Sequence, residues 1–207
     1  MSGGGPYALA CAYALPAEKL KSVAIVGGMG LPDMPKTGMR WWNWIGFTYG
    51  YRYFPGLTRQ MYKREIGARL ELSDEERLEG YRQGLLKEYP SAHPKDKAIF
   101  SHPEYFVVTS RTHREVFAQG IDATIQDGQL YCKDFGFRIE DIRKDLPVEL
   151  WYGKFDVNCP PVYGEQTAAR LRGKSHLRVD DETHWTVYMN HREEIVQALL
   201  ESADADV

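Results

Sequence analysis

Ser2, Asp156 and His184 are the residues of this chain whose types and order could carry nucleophilic catalysis. A serine hydroxyl attacks a carbonyl when a base takes its proton, and an imidazole serves best when a carboxylate fixes its orientation. One chain order for such a set puts the serine at a strand-to-helix turn, the acid after a later strand and the histidine after the last strand. Here Asp156 follows the apolar run 147–153, and His184 follows the run 175–180, 28 residues beyond the acid. That interval has room for one crossover helix and one strand. Each residue also has a plainer reading: MSGGG as a flexible leader, Asp156 as a solvated loop carboxylate, His184 as a helix-start histidine. Their shared order favours the catalytic one.

The remaining candidates are weaker. His93, His102, His113, His176 and His191 lack a metal-ligand spacing, so no metal is expected. Gly27-Gly28-Met29-Gly30 is not a GxGxxG fingerprint and leads to Leu31-Pro32, which reads as a turn and not a phosphate cradle. Trp41, Trp42 and Trp44 open an aromatic stretch that serves either as packing or as the lining of an apolar acyl pocket. Cys159 is near Asp156 in sequence, but a cysteine nucleophile would belong at the turn where Ser2 stands.

The elements that must position these residues are legible in outline. Pro6 and an alanine-rich stretch predict a helix over 6–15. The β-branched run 22–27 stops at Gly27-Gly28 and suits a strand buried on both faces. Strands are expected again over 147–153 and 175–180, with helices over 161–173 and 191–200. Between these halves the pattern is helical: Ser73 and Glu76 form a capping box opening a helix that ends near Tyr89-Pro90, and a second helix spans 103–119. The order predicts a parallel α/β sheet, with core segments 1–36 and 141–207 around a helical insertion over 37–140.

Composition narrows the function classes. The 207 residues are 43% hydrophobic, 27% charged and 13% aromatic, which excludes disordered, collagen-like and coiled-coil chains. A net charge of −3 offers no electrostatic footprint for a nucleic-acid backbone or an acidic membrane. No apolar run approaches the roughly 20 residues of a membrane span, and the start MSGGGPYALA has no signal-peptide pattern. Three cysteines without a CxxC pair fit a reducing, cytoplasmic setting.

Taken in order, Ser2-Gly3-Gly4-Gly5-Pro6-Tyr7-Ala8-Leu9-Ala10 resembles the nucleophile elbow and following helix of the α/β-hydrolase fold superfamily. Gly136-Phe137-Arg138-Ile139-Glu140-Asp141-Ile142 before Pro147-Val148, then Trp151-Tyr152-Gly153-Lys154-Phe155-Asp156 and Thr183-His184-Trp185, continue the likeness across essentially the whole chain. The resemblance implies the carboxyl-terminal part of an α/β-hydrolase fold: a short parallel sheet with helices on both faces and an inserted helical cap. It implies Ser2 as nucleophile, Asp156 as acid, His184 as general base and the Gly3 amide as an oxyanion donor; Trp41, Trp42 and Trp44 are substrate contacts only on the acyl-pocket reading of the aromatic stretch. The chain departs from the pattern in three places. The opening glycine of G-x-S-x-G would precede residue 1, the early strands and second oxyanion donor are not present, and Asp181-Glu182-Thr183 replaces a small, glycine-containing turn. The implied reaction is cofactor-free hydrolysis of a small carbonyl substrate: an ester, thioester or lactone. The alternative is a catalytically silent fragment or interaction protein, and an exposed edge at the 22–27 strand would favour self-association.

Overall fold

The computed structural model describes residues 1–100 and 102–204. These divide into two compact units, Met1–Trp44 with Lys133–Val207, and Ile45–Cys132. The sequence pattern places the insertion at 37–140; the second unit is narrower, because the segments on either side of it belong with the first.

In chain order the first unit opens with α1 (Gly5–Ala14) and β1 (Val23–Val26), and α2 (Trp41–Ile45) ends at the unit boundary. Among its described residues the second unit contains helices joined by turns and no strand. It holds a π-turn at Gly46–Gly50, then α3 (Tyr51–Tyr53), α4 (Pro55–Tyr62), α5 (Asp74–Glu88), α6 (Pro94–Phe100), α7 (Pro103–Val116) and α8 (Ile121–Leu130). The chain returns to the first unit with β2 (Val148–Gly153), α9 (Val162–Arg170), β3 (Ser175–Asp180) and α10 (Thr186–Asp204).

The three strands form a parallel sheet in the order β1-β2-β3, with Val23 opposite Val148 and Val148 opposite Ser175. All six residues of the central strand β2 are buried, as expected of a strand covered on both faces. Successive side chains alternate. Tyr152 points to the face of α9, where Gly164 lets the ring approach so closely that a Cβ would lie 2.5 Å from it. Trp151 points the other way and packs with Val26, Val187 and Ile195, the last two on α10. Glu149, buried on that side, is held by Ser202 Oγ at 2.7 Å and His176 Nδ1 at 2.9 Å. Helices therefore cover both faces of β2, whereas the edge strand β3 is exposed over residues 176–179. At the outer side of β1, the pairing among the described residues is a single bridge between Ser2 and Gly28.

Two differences from the sequence pattern have physical causes. Helix α10 begins at Thr186, five residues before the expected start, because Thr183 and Thr186 bond reciprocally: Thr183 N–H donates to Thr186 Oγ1 at 2.8 Å and Thr186 N–H to Thr183 Oγ1 at 3.2 Å. The aromatic stretch 41–62 is helical in short pieces, because Gly46, Gly50 and Pro55 interrupt any sustained period.

The expected capping box is present: Glu76 N–H donates to Ser73 Oγ at 3.2 Å and Ser73 N–H to Glu76 Oε2 at 2.8 Å. Within the same unit Arg77 is buried, donating to the Leu72 carbonyl at 2.6 Å and pairing with Asp74. Gly67 permits close approach to the His113 backbone, and the Tyr81 ring meets His113 edge-on.

Candidate active site

The site begins with a backbone anomaly. Ser2 has φ +53°, and it is the one non-glycine residue with positive φ among the described residues. Such a conformation costs a side chain-bearing residue roughly 1–2 kcal/mol and persists where neighbours enforce it. Here the neighbours are the end of β1 and the start of α1. Ser2 N–H points at the carbonyls of Val26 and Gly27, at 3.2 and 3.1 Å, and the Ser2 carbonyl accepts from Met29 and Gly5, at 2.8 and 3.1 Å. Gly5 is required by this crowding, since a Cβ there would lie 2.3 Å from the Met29 carbonyl oxygen.

His184 arrives on the loop after β3 and Asp156 on the loop after β2, so both leave the same carboxyl edge as the Gly27 turn after β1. His184 Nε2 lies 3.1 Å from Ser2 Oγ, and His184 Nδ1 lies 2.7 Å from Asp156 Oδ2. The second carboxylate oxygen, Asp156 Oδ1, accepts the amides of Asn158 and Cys159, both at 2.8 Å. Asp156 is 2% exposed and His184 6%. With Nδ1–H donating to the carboxylate, Nε2 is left to accept from the serine hydroxyl. This is the arrangement in which imidazole can remove that proton.

The substituted turn before His184 is held by main-chain bonds. Lys154 N–H donates to the Asp180 carbonyl at 2.8 Å, and Phe155 N–H to the Glu182 carbonyl at 2.9 Å. Gly153 makes room for this, since a Cβ there would sit 2.4 Å from the Glu182 carbonyl oxygen. The reciprocal Thr183–Thr186 bonds close the loop directly around His184.

Sequence reasoning misses two contributors. Gly27, read as part of a plain turn, has φ +47° and lies directly against the Asp156–His184 pair. Tyr152, buried on β2, donates its hydroxyl to the Gly28 carbonyl at 2.9 Å and so fixes the same turn. The available signal was the position of Gly27-Gly28 at the carboxyl end of a fully apolar strand, where ligand sites of parallel sheets assemble.

Cys159 is also at the site. Burial and the Asp156 carboxylate push its thiol up, away from the thiolate. Gly3 lies in the turn between Ser2 and α1. Trp41, Trp42 and Trp44 are not drawn into the hydrogen-bonded series; all three are exposed. Trp41 and Trp42 meet edge-on, and Arg40 stands 4.7 Å over the Trp42 ring. Their helix is nonetheless anchored to the acid loop, because Arg40 N–H donates to the Val157 carbonyl at 2.7 Å and Asn43 Nδ2 to Asn158 Oδ1 at 3.0 Å.

No family model and no curated protein matches the sequence. Solved structures do. An esterase, EaEST, from Exiguobacterium antarcticum superposes with a TM-score of 0.51 at 18% identity, over 99% of this chain and 65% of that one. An alpha/beta hydrolase fold protein from Nakamurella multipartita superposes with a TM-score of 0.50 at 16% identity, over 98% and 67%. This chain thus spans about two thirds of the length of each. At such identities the likeness is one of architecture, and it agrees with the three-stranded parallel sheet and its flanking helices: the chain has the fold of the α/β-hydrolase superfamily.

Proposed function

We propose that the chain is a serine hydrolase acting on a small ester, thioester or lactone, with Ser2 as nucleophile, His184 as general base and Asp156 as the acid that orients it. The observation that carries this reading is the continuous series Asp156–His184–Ser2, at 2.7 and 3.1 Å, ending on a serine held at positive φ. Ser2 Oγ attacks the carbonyl carbon while His184 Nε2 takes its proton, and Asp156 stabilises the resulting imidazolium. The oxyanion that forms accepts from the Gly3 amide at the head of α1. His184 returns the proton to the leaving group, then takes one from the water that attacks the acyl-Ser2 ester and delivers it to Ser2 Oγ as the acid is freed. The raised Cys159 thiol supports serine over cysteine as the attacking group. With no disulfide among the described residues, Cys11, Cys132 and Cys159 suit a reducing compartment such as the cytosol.

A fluorophosphonate probe tests the assignment. Labelling of the 207-residue chain that vanishes in Ser2→Ala and falls in His184→Ala supports it. Folded, unlabelled wild-type protein overturns it in favour of a catalytically silent fold.

A further inference from the structure

One segment runs against the charge of the whole. Between Met34 and Glu65 the sequence holds Lys36, Arg40, Arg52, Arg59, Lys63 and Arg64 and no carboxylate, in a chain whose net charge is −3. Its part in the second unit also carries apolar side chains in solvent: Tyr53, Phe54, Leu57 and Met61 are 58–63% exposed. The spacings 54, 57 and 61 put three of them on one face of α4 and the residue before it. This is not the face that α4 buries. Tyr62 bonds the Tyr51 hydroxyl and packs near Phe117, and Arg59 pairs with Asp122. Arg52, Lys63 and Arg64 flank the stripe and are exposed, with Arg52 lying 5.3 Å over the Tyr53 ring.

We propose that this face of the second unit docks on the surface of a bilayer containing anionic lipid. Aromatic and aliphatic side chains of this kind settle at the boundary between headgroups and acyl chains, and arginines and lysines beside them meet lipid phosphates. Residues 35–64 contribute no carboxylate of their own, and Asp122, which reaches α4 from α8, is neutralised by Arg59. The eight-residue helix α4 lies on such a surface and does not cross it, and among the described residues no helix is long and apolar enough to span a membrane. A second copy is a poorer occupant, because pairing two such faces would bring their cations together. The inference is independent of the proposed chemistry.

Vesicle flotation tests it, since aggregated protein does not float. The 207-residue chain is mixed with vesicles of phosphatidylcholine alone or with added phosphatidylserine. We expect flotation with the phosphatidylserine vesicles that declines as salt rises. The double variant Leu57→Glu/Met61→Glu loses it, and Lys63→Glu/Arg64→Glu weakens it by about tenfold or more. Thermal unfolding confirms that each variant is folded, and the wild-type salt titration stands without any variant. No flotation, or equal flotation with neutral vesicles, overturns the proposal. Concentration-dependent self-association that Leu57→Glu/Met61→Glu abolishes, without flotation, assigns the face to a second copy and overturns it too.

Discussion

A Cβ placed on Gly27 would stand 3.2 Å from Asp156 Oδ2 and 3.4 Å from His184 Nδ1, so the main chain after β1 forms a wall of the carboxylate–imidazole pair. Gly27→Ala would both crowd that pair and force a side chain to φ +47°. The strain alone is worth roughly 1–2 kcal/mol. We expect a lower melting temperature together with fluorophosphonate labelling slowed about tenfold or more, because the crowding falls on the bond that orients the imidazole.

Asp156→Asn separates orientation from packing. The amide oxygen can still accept from Asn158 and Cys159, which turns the NH₂ toward His184 Nδ1. That forces the imidazole proton onto Nε2, where it can no longer accept from Ser2. Labelling should fall about 10³–10⁴-fold while the protein stays folded. Labelling within a few-fold of wild type would remove Asp156 from the assignment.

Thr186→Val deletes the hydroxyl that accepts Thr183 N–H, leaving a buried amide without that partner. The expected cost is about 1–2 kcal/mol in chemical denaturation, with slower labelling because His184 lies between the two threonines. Thr186→Ser keeps the hydroxyl and should restore both.

His113 gives the second unit a pH dependence. Its Nδ1 is buried without a hydrogen-bond partner, and burial holds its pKa below the ordinary 6.5, so the folded protein disfavours the imidazolium. The unfolded chain binds the proton more readily, and the stability from this residue is full above pH 6.5 and is lost as pH falls toward the depressed folded value. Melting temperature should therefore drop more steeply between pH 7 and 5 in wild type than in His113→Gln. Parallel curves would contradict this.

The outline of the first unit is legible because the β-branched run at 22–27 and the short strand-like runs at 147–153 and 175–180, each bounded by turn residues, stand apart from helical text. Ser2, Asp156 and His184 stand out through their order relative to those strands, and the structure adds the distances that join them. Gly27 and Tyr152 are not legible as contributors. One acts through the side chain it lacks and the other through a hydroxyl bonded 124 positions away, and neither leaves a local pattern. The early start of α10 escapes because threonine is a weak helix former whose reciprocal bonds with Thr183 exist once the loop is formed. In the second unit, helices of three to eight residues between glycines and prolines carry too few turns for a period to emerge. The basic, aromatic stretch is hidden by summing charge over the whole chain.

The hydrogen bond between Ser2 Oγ and His184 Nε2 joins positions 182 apart, and it exists once β1, β2 and β3 have paired in register. Contacts of that sequence separation, in a parallel sheet, are costly to close and form late in folding. During refolding the helical signal should recover first and reactivity toward the probe last. A competent nucleophile would then report that the most distant parts of the chain have found one another.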